Sequence, residues 1–234
     1  MKMITGHWQL ILITGIVFLL WNTPAIFPLK ILIVFMHELS HGLAALLTGG
    51  MIVDITLSPQ QGGQILTRGG SAFATLSAGY VGSLLIGIVL LILALRTNAD
   101  RLLLGFCGVV ILLVTAFYIR DSFALIFCAI TGILMLAVSR YLSIAINDMV
   151  LRVIGLTSML YVPYDIFDDT IARSGMRSDA YMLAERVGGT AALWGAIWLV
   201  LSLAVILLCL KYGIGQNSNI TFVTASDRHR SGPR

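Results

Sequence analysis

Five consecutive residues, His37-Glu38-Leu39-Ser40-His41, have the types and spacing for metal-dependent hydrolysis. On a helix, two histidines four apart fall on one face a turn apart, so both imidazoles can reach one divalent ion. The glutamate beside them lies where it can take a proton from a water activated by that ion. The motif is embedded in apolar sequence, residues 31–36 before it and 43–47 after it. An ionisable group at the centre of a membrane helix costs ~2.5–3.5 kcal/mol or more. Three such groups within five residues need a shared partner, and a divalent cation provides one.

A third protein ligand is expected to be a carboxylate, because the chain has only four histidines and the other two, His7 and His229, lie near its ends. Glu38 is assigned as the base, and Asp54, Asp100, Asp121 and Asp227 fall in predicted loops or the tail. The remaining cluster is Tyr164-Asp165-Ile166-Phe167-Asp168-Asp169. On a helix Asp165 shares a face with Asp168 and Asp169. The competing reading of this cluster is a solvated acidic helix start, where the dipole favours carboxylates. Asp148 is a weaker choice, since Arg152 four residues on offers it an ion pair.

The elements that must position these groups are membrane helices. The chain is 58% hydrophobic and 11% charged, with a mean hydropathy of +0.95, against about 25% charged residues in soluble domains. Lipid must therefore be the solvent for most of it. The formal charge of +4 is spread out, with no basic run interleaved with aromatics, which argues against a nucleic-acid partner. Cys107, Cys128 and Cys209 lie far apart in apolar runs and read as small buried hydrophobes.

Apolar runs at 8–21, 29–47, 72–95, 102–119, 123–138, 142–162 and 193–210 predict six or seven transmembrane helices, the first read as retained, not as a cleaved signal. Residues 51–57 are rich in β-branched side chains, and Gly62-Gly63, 64–67 and Gly69-Gly70 follow, which predicts a β-hairpin between two membrane helices. Ala78, Gly79, Gly82, Ser83 and Gly87 form a small-residue face suited to close helix packing. The predicted fold class is an all-α polytopic membrane protein with a small β-hairpin insert near the active site. Residues 1–212 form one membrane domain, and 213–234 a polar, disordered tail.

In order along the chain, H37-E-L-S-H41, Gly49-Gly50 leading into the strand-like insert, Ala78-Gly79 opening the next helix, and an aspartate after Pro163 resemble the site-2 protease family of intramembrane zinc peptidases. The likeness is strongest to small members without a PDZ domain. It departs from the family pattern at Tyr80, which stands where a proline is usual, and after Pro163, where the family's Asn-Pro and Asp-Gly pairs are incomplete. The resemblance implies Zn²⁺ held by His37, His41 and one aspartate, Asp168 or Asp165, with Glu38 as general base. It also implies a multi-pass protein of the lipid bilayer that cleaves membrane-protein substrates. The insert at residues 51–57 is expected to bind an unwound substrate as an added strand, with Ser40, Thr48 and the acidic cluster lining a path for water.

Two other classes are compatible with these residues. Buried charges also mark the ion pathways of transporters, although no internal repeat or paired broken helices appear. A catalytically inactive relative that binds membrane segments without cutting them would keep the same architecture.

Overall fold

The computed structural model describes residues 2–172, 177–215 and 217–220. Ten elements follow in chain order: α1 (Lys2–Leu19), α2 (Phe27–Leu47), β1 (Met51–Leu57), β2 (Gly63–Arg68), α3 (Ala72–Arg96), α4 (Asp100–Tyr118), α5 (Ser122–Tyr141), α6 (Ile144–Phe167), α7 (Asp179–Val187) and α8 (Ala191–Leu208). Short tighter or wider turns precede α2 (Pro24–Ile26) and extend α6 (Asp168–Ala172) and α8 (Cys209–Gly213). Among the described residues, six helices are long and apolar enough to cross a membrane, those built on α2 to α6 and on α8. The protein is a multi-pass integral membrane protein, as its hydropathy predicts. The first apolar run forms only a shorter helix, interrupted at His7 (φ −133°, ψ 17°).

Capping explains where several helices begin. Ser71, Asp121, Ser143, Ser178 and Thr190 each accept a backbone N–H of the following first turn, satisfying donors that no intrahelical carbonyl can reach. Asp121 and Asp100, both placed in loops by sequence, are therefore respectively the cap of α5 and the first residue of α4. Helix α6 continues through Pro163 to Phe167. Proline removes one backbone bond and crowds the carbonyl four residues earlier, but neighbouring helices in a bundle can hold the helix across such a site.

The hairpin is antiparallel, with Ile55 opposite Ile65 and Leu57 opposite Gly63, and a one-residue irregularity at Val53. It folds back along α2: a Cβ built on Gly42 would meet the side chains of Ile52 and Ile65 within 2.9 Å. The outer side of β1 is bridged to Ile119 at Ile55, and among the described residues no further strand pairs with β2.

The small residues of α3 serve two neighbours, not one. Gly79 and Gly82 face α2, where a Cβ on Gly82 would lie 2.5 Å from that of Ser40. Ser83 and Gly87 face α6, where the Ser158 hydroxyl donates to the Ser83 carbonyl at 2.9 Å and a Cβ on Gly87 would lie 2.4 Å from that of Ser158. Helix α3 is thus fixed between α2 and α6.

Asp148 and Arg152 form the expected ion pair, with nitrogen–oxygen distances of 2.5 and 2.7 Å, buried in α6. Arg152 also donates to the Ser218 carbonyl. Of the tail expected at 213–234, residues 217–220 run against the interruption in α1: Ser218 N–H donates to the Gly6 carbonyl at 2.8 Å, and Gln9 exchanges side-chain hydrogen bonds with the backbone of Ile220. Residues 216 and 221–234 lie outside the described residues.

Candidate metal centre

His37 and His41 occupy one face of α2 near its middle, and their rings stand edge to face with centroids 4.7 Å apart. Both turn Nε2 to the same atom, Asp179 Oδ2, at 2.9 Å from His37 and 3.0 Å from His41. His41 uses its other nitrogen, Nδ1, to donate to the Thr75 carbonyl of α3 at 2.6 Å. That bond fixes the tautomer and leaves the Nε2 lone pair for a ligand, the arrangement usual for metal-binding histidines.

The floor of the site is backbone. A Cβ on Gly79 would lie 2.4 Å from His37 Nε2 and 2.5 Å from His41 Nε2. No side chain other than hydrogen leaves room there, which ties the Ala78-Gly79 pair to the histidines. Glu38 is buried one position round the helix and faces the hairpin, where a Cβ on Gly63 would fall 2.6 Å from Glu38 Oε1.

Asp179 is the first residue of α7, delivered by the Ser178 cap. Burial alone would raise its carboxyl pKa, but the two facing imidazoles outweigh burial and hold it well below the usual carboxylate range. Among the described residues, His37, His41 and Asp179 form the group whose ligand atoms all lie within 4.8 Å of one another. Two imidazoles and one carboxylate match the three-ligand sets of catalytic zinc sites.

The expected third ligand was Asp165 or Asp168. The structure places both at the C-terminal end of α6, outside this group, and puts Asp179 with the histidines instead. The neighbouring Asp169 accepts the Tyr80 hydroxyl at 2.6 Å. The hydroxyls of Ser40 and Thr48 each donate to a backbone carbonyl of their own helix, at 2.7 Å, and Thr48 also accepts the Ser71 N–H. The signal for Asp179 was local and modest, a Ser-Asp helix start followed by apolar Ala180 and Leu183 three apart.

A bundle of membrane helices enclosing a His-His-Asp group defines the class as a membrane-embedded protein with a metal-competent site. A family model described as peptidase M50B-like matches residues 10–209, and the chain belongs to this family, that of the site-2 proteases. Membership implies an intramembrane metalloprotease that acts on membrane-protein substrates in a lipid environment, and zinc is the general metal of the family. No curated protein and no solved structure matches the chain significantly.

Proposed function

We propose that this protein is an intramembrane zinc endopeptidase in which His37, His41 and Asp179 hold the metal and Glu38 is the general base. One observation carries the reading: both histidine Nε2 atoms converge on one partly buried carboxylate oxygen, at 2.9 and 3.0 Å, beside the buried glutamate of the same helix. When bound, zinc supplies a Lewis acid that acidifies water and polarises a carbonyl.

The chain's own residues do the rest. Thr75 orients His41 through Nδ1, and the hydrogen-only surface of Gly79 admits the site between α2 and α3. Glu38 accepts the proton of the attacking water and returns it to the nitrogen of the departing amine. Its burial keeps bulk water from competing for that proton.

A helical substrate hides its peptide bonds, so an unwound segment has to be held in extended form. The outer edge of β2, which no other strand pairs among the described residues, supports this role better than β1, the strand at residues 51–57 expected from sequence, because β1 lies between β2 and the bridge to Ile119. Gly63, at the start of β2, lies against Glu38. A segment paired with β2 would therefore pass its backbone close to the base. One membrane domain, residues 1–212, carries the whole of this chemistry.

The test is Glu38→Gln in purified protein, with zinc content and cleavage of a co-reconstituted membrane substrate measured together. Zinc stays at the wild-type level and cleavage falls by roughly 10²–10⁴-fold, the range for a lost general base. Undiminished cleavage would remove Glu38 from the mechanism.

A further inference from the structure

Tyr80 follows Gly79 in α3 and is fully buried, 0% exposed. Its ring stands edge to face on His37, with centroids 4.8 Å apart at 81°, and tilts against Trp198 of α8 at 5.3 Å. Its hydroxyl donates to Asp169 Oδ2 at 2.6 Å. Apolar packing alone would be served by phenylalanine, so the phenol and its short bond to a carboxylate call for a separate reason.

Asp169 belongs to the wide turn Asp168–Ala172 that ends α6, and Asp179 comes ten residues later. The same turn is gripped from the other side: a Cβ on Gly195 of α8 would lie 2.4 Å from Thr170. Beyond it, α7 seats Ala180 and Leu183, both fully buried, in the apolar cluster that contains Leu76, Tyr80, Leu84 and Trp198. Tyr80 therefore touches one proposed ligand directly, bonds the end of α6 through Asp169 and shares an apolar cluster with α7, which carries another. Its ring packs in the cluster that seats α7, and its hydroxyl ties down the end of α6.

We propose that Tyr80 is a positioning residue for the metal site: its ring fixes the His37 imidazole, and its hydroxyl, through Asp169, anchors the chain that carries Asp179. The proposal rests on His37, His41 and Asp179 being the ligands. It assigns Asp169 a role as anchor, not as ligand.

Zinc affinity is measured by chelator competition on the purified full chain, for wild type, Tyr80→Phe, Asp169→Ala and the double variant. The visible spectrum of each cobalt-loaded form is recorded alongside. Each single substitution weakens zinc binding by about 10-fold, the lower end of the loss for outer groups that support metal ligands, and alters the cobalt spectrum. The single losses do not multiply in the double variant, because both substitutions remove the Tyr80–Asp169 bond. Tyr80→Phe keeps the ring, so excess zinc restores its cleavage. Single variants that bind zinc as wild type does, or losses that multiply in the double variant, overturn the proposal. Wild-type protein that binds no zinc would overturn the ligand assignment beneath it, and the two failures are thereby distinguished.

Discussion

Gly79→Ala perturbs the proposed centre by a single methyl group. The added Cβ would lie 2.4 Å from His37 Nε2 and 2.5 Å from His41 Nε2, where ordinary contact begins at 3.4 Å. About 1 Å has to be found. Helix α3 cannot retreat from α2 to provide it, because Gly87 and Ser83 are already closed on Ser158 of α6. The imidazoles must give way instead, and His41 is held by its bond to the Thr75 carbonyl. Overpacking of this kind costs typically 1–3 kcal/mol, and a displacement of about 1 Å at a reacting centre costs on the order of 100-fold. Zinc affinity, measured by chelator competition on protein in detergent, is expected to fall by roughly 100-fold, which corresponds to about 2.7 kcal/mol. Gly15→Ala is the control, since nothing lies within 4 Å of a Cβ there; its zinc affinity and thermal stability stay at or above the wild-type level. A Gly79→Ala protein that binds zinc as tightly as wild type would refute the placement of α3 against the histidines.

Arg152→Met removes one partner of the buried pair with Asp148 and leaves a carboxylate uncompensated, so thermal unfolding in detergent reports a loss of about 3–5 kcal/mol. Replacing both residues with apolar side chains of similar volume recovers most of that loss, and failure to recover it would show that the pair does more than neutralise itself. Zinc binding weakens as pH falls toward 5, because imidazoles must be unprotonated to act as ligands. An affinity that is flat between pH 8 and 5 would argue against histidine ligation.

Much of this architecture could be read from the chain, and the part that could not has a physical explanation. The pair His37 and His41 is legible because helical period alone brings residues four apart to one face. The β1 strand is legible because β-branched residues at 51–57 stand between glycine pairs, and the structure starts and ends it at Met51 and Leu57. The bridge that Ile119 makes to Ile55 of β1 was not legible, because the two residues lie far apart in sequence. Asp179 was hidden for the same reason. No period links it to His37, 142 residues earlier, and the denser cluster at Asp165, Asp168 and Asp169 has the stronger local pattern. Asp169 of that cluster instead meets Tyr80, the residue at which the family pattern is broken. The tail reads as polar from composition, yet Ser218 is buried against Arg152 and the opened turn of α1, because unsatisfied backbone groups there need partners.

The ligand set itself is tested most directly by zinc stoichiometry on the purified full chain, compared among wild type, Asp179→Ala, Asp165→Ala and Asp168→Ala. The account predicts one zinc per chain in wild type, retained in Asp165→Ala and Asp168→Ala and lost in Asp179→Ala. Zinc retained at full stoichiometry and affinity in Asp179→Ala, or lost in either of the other two, would contradict it.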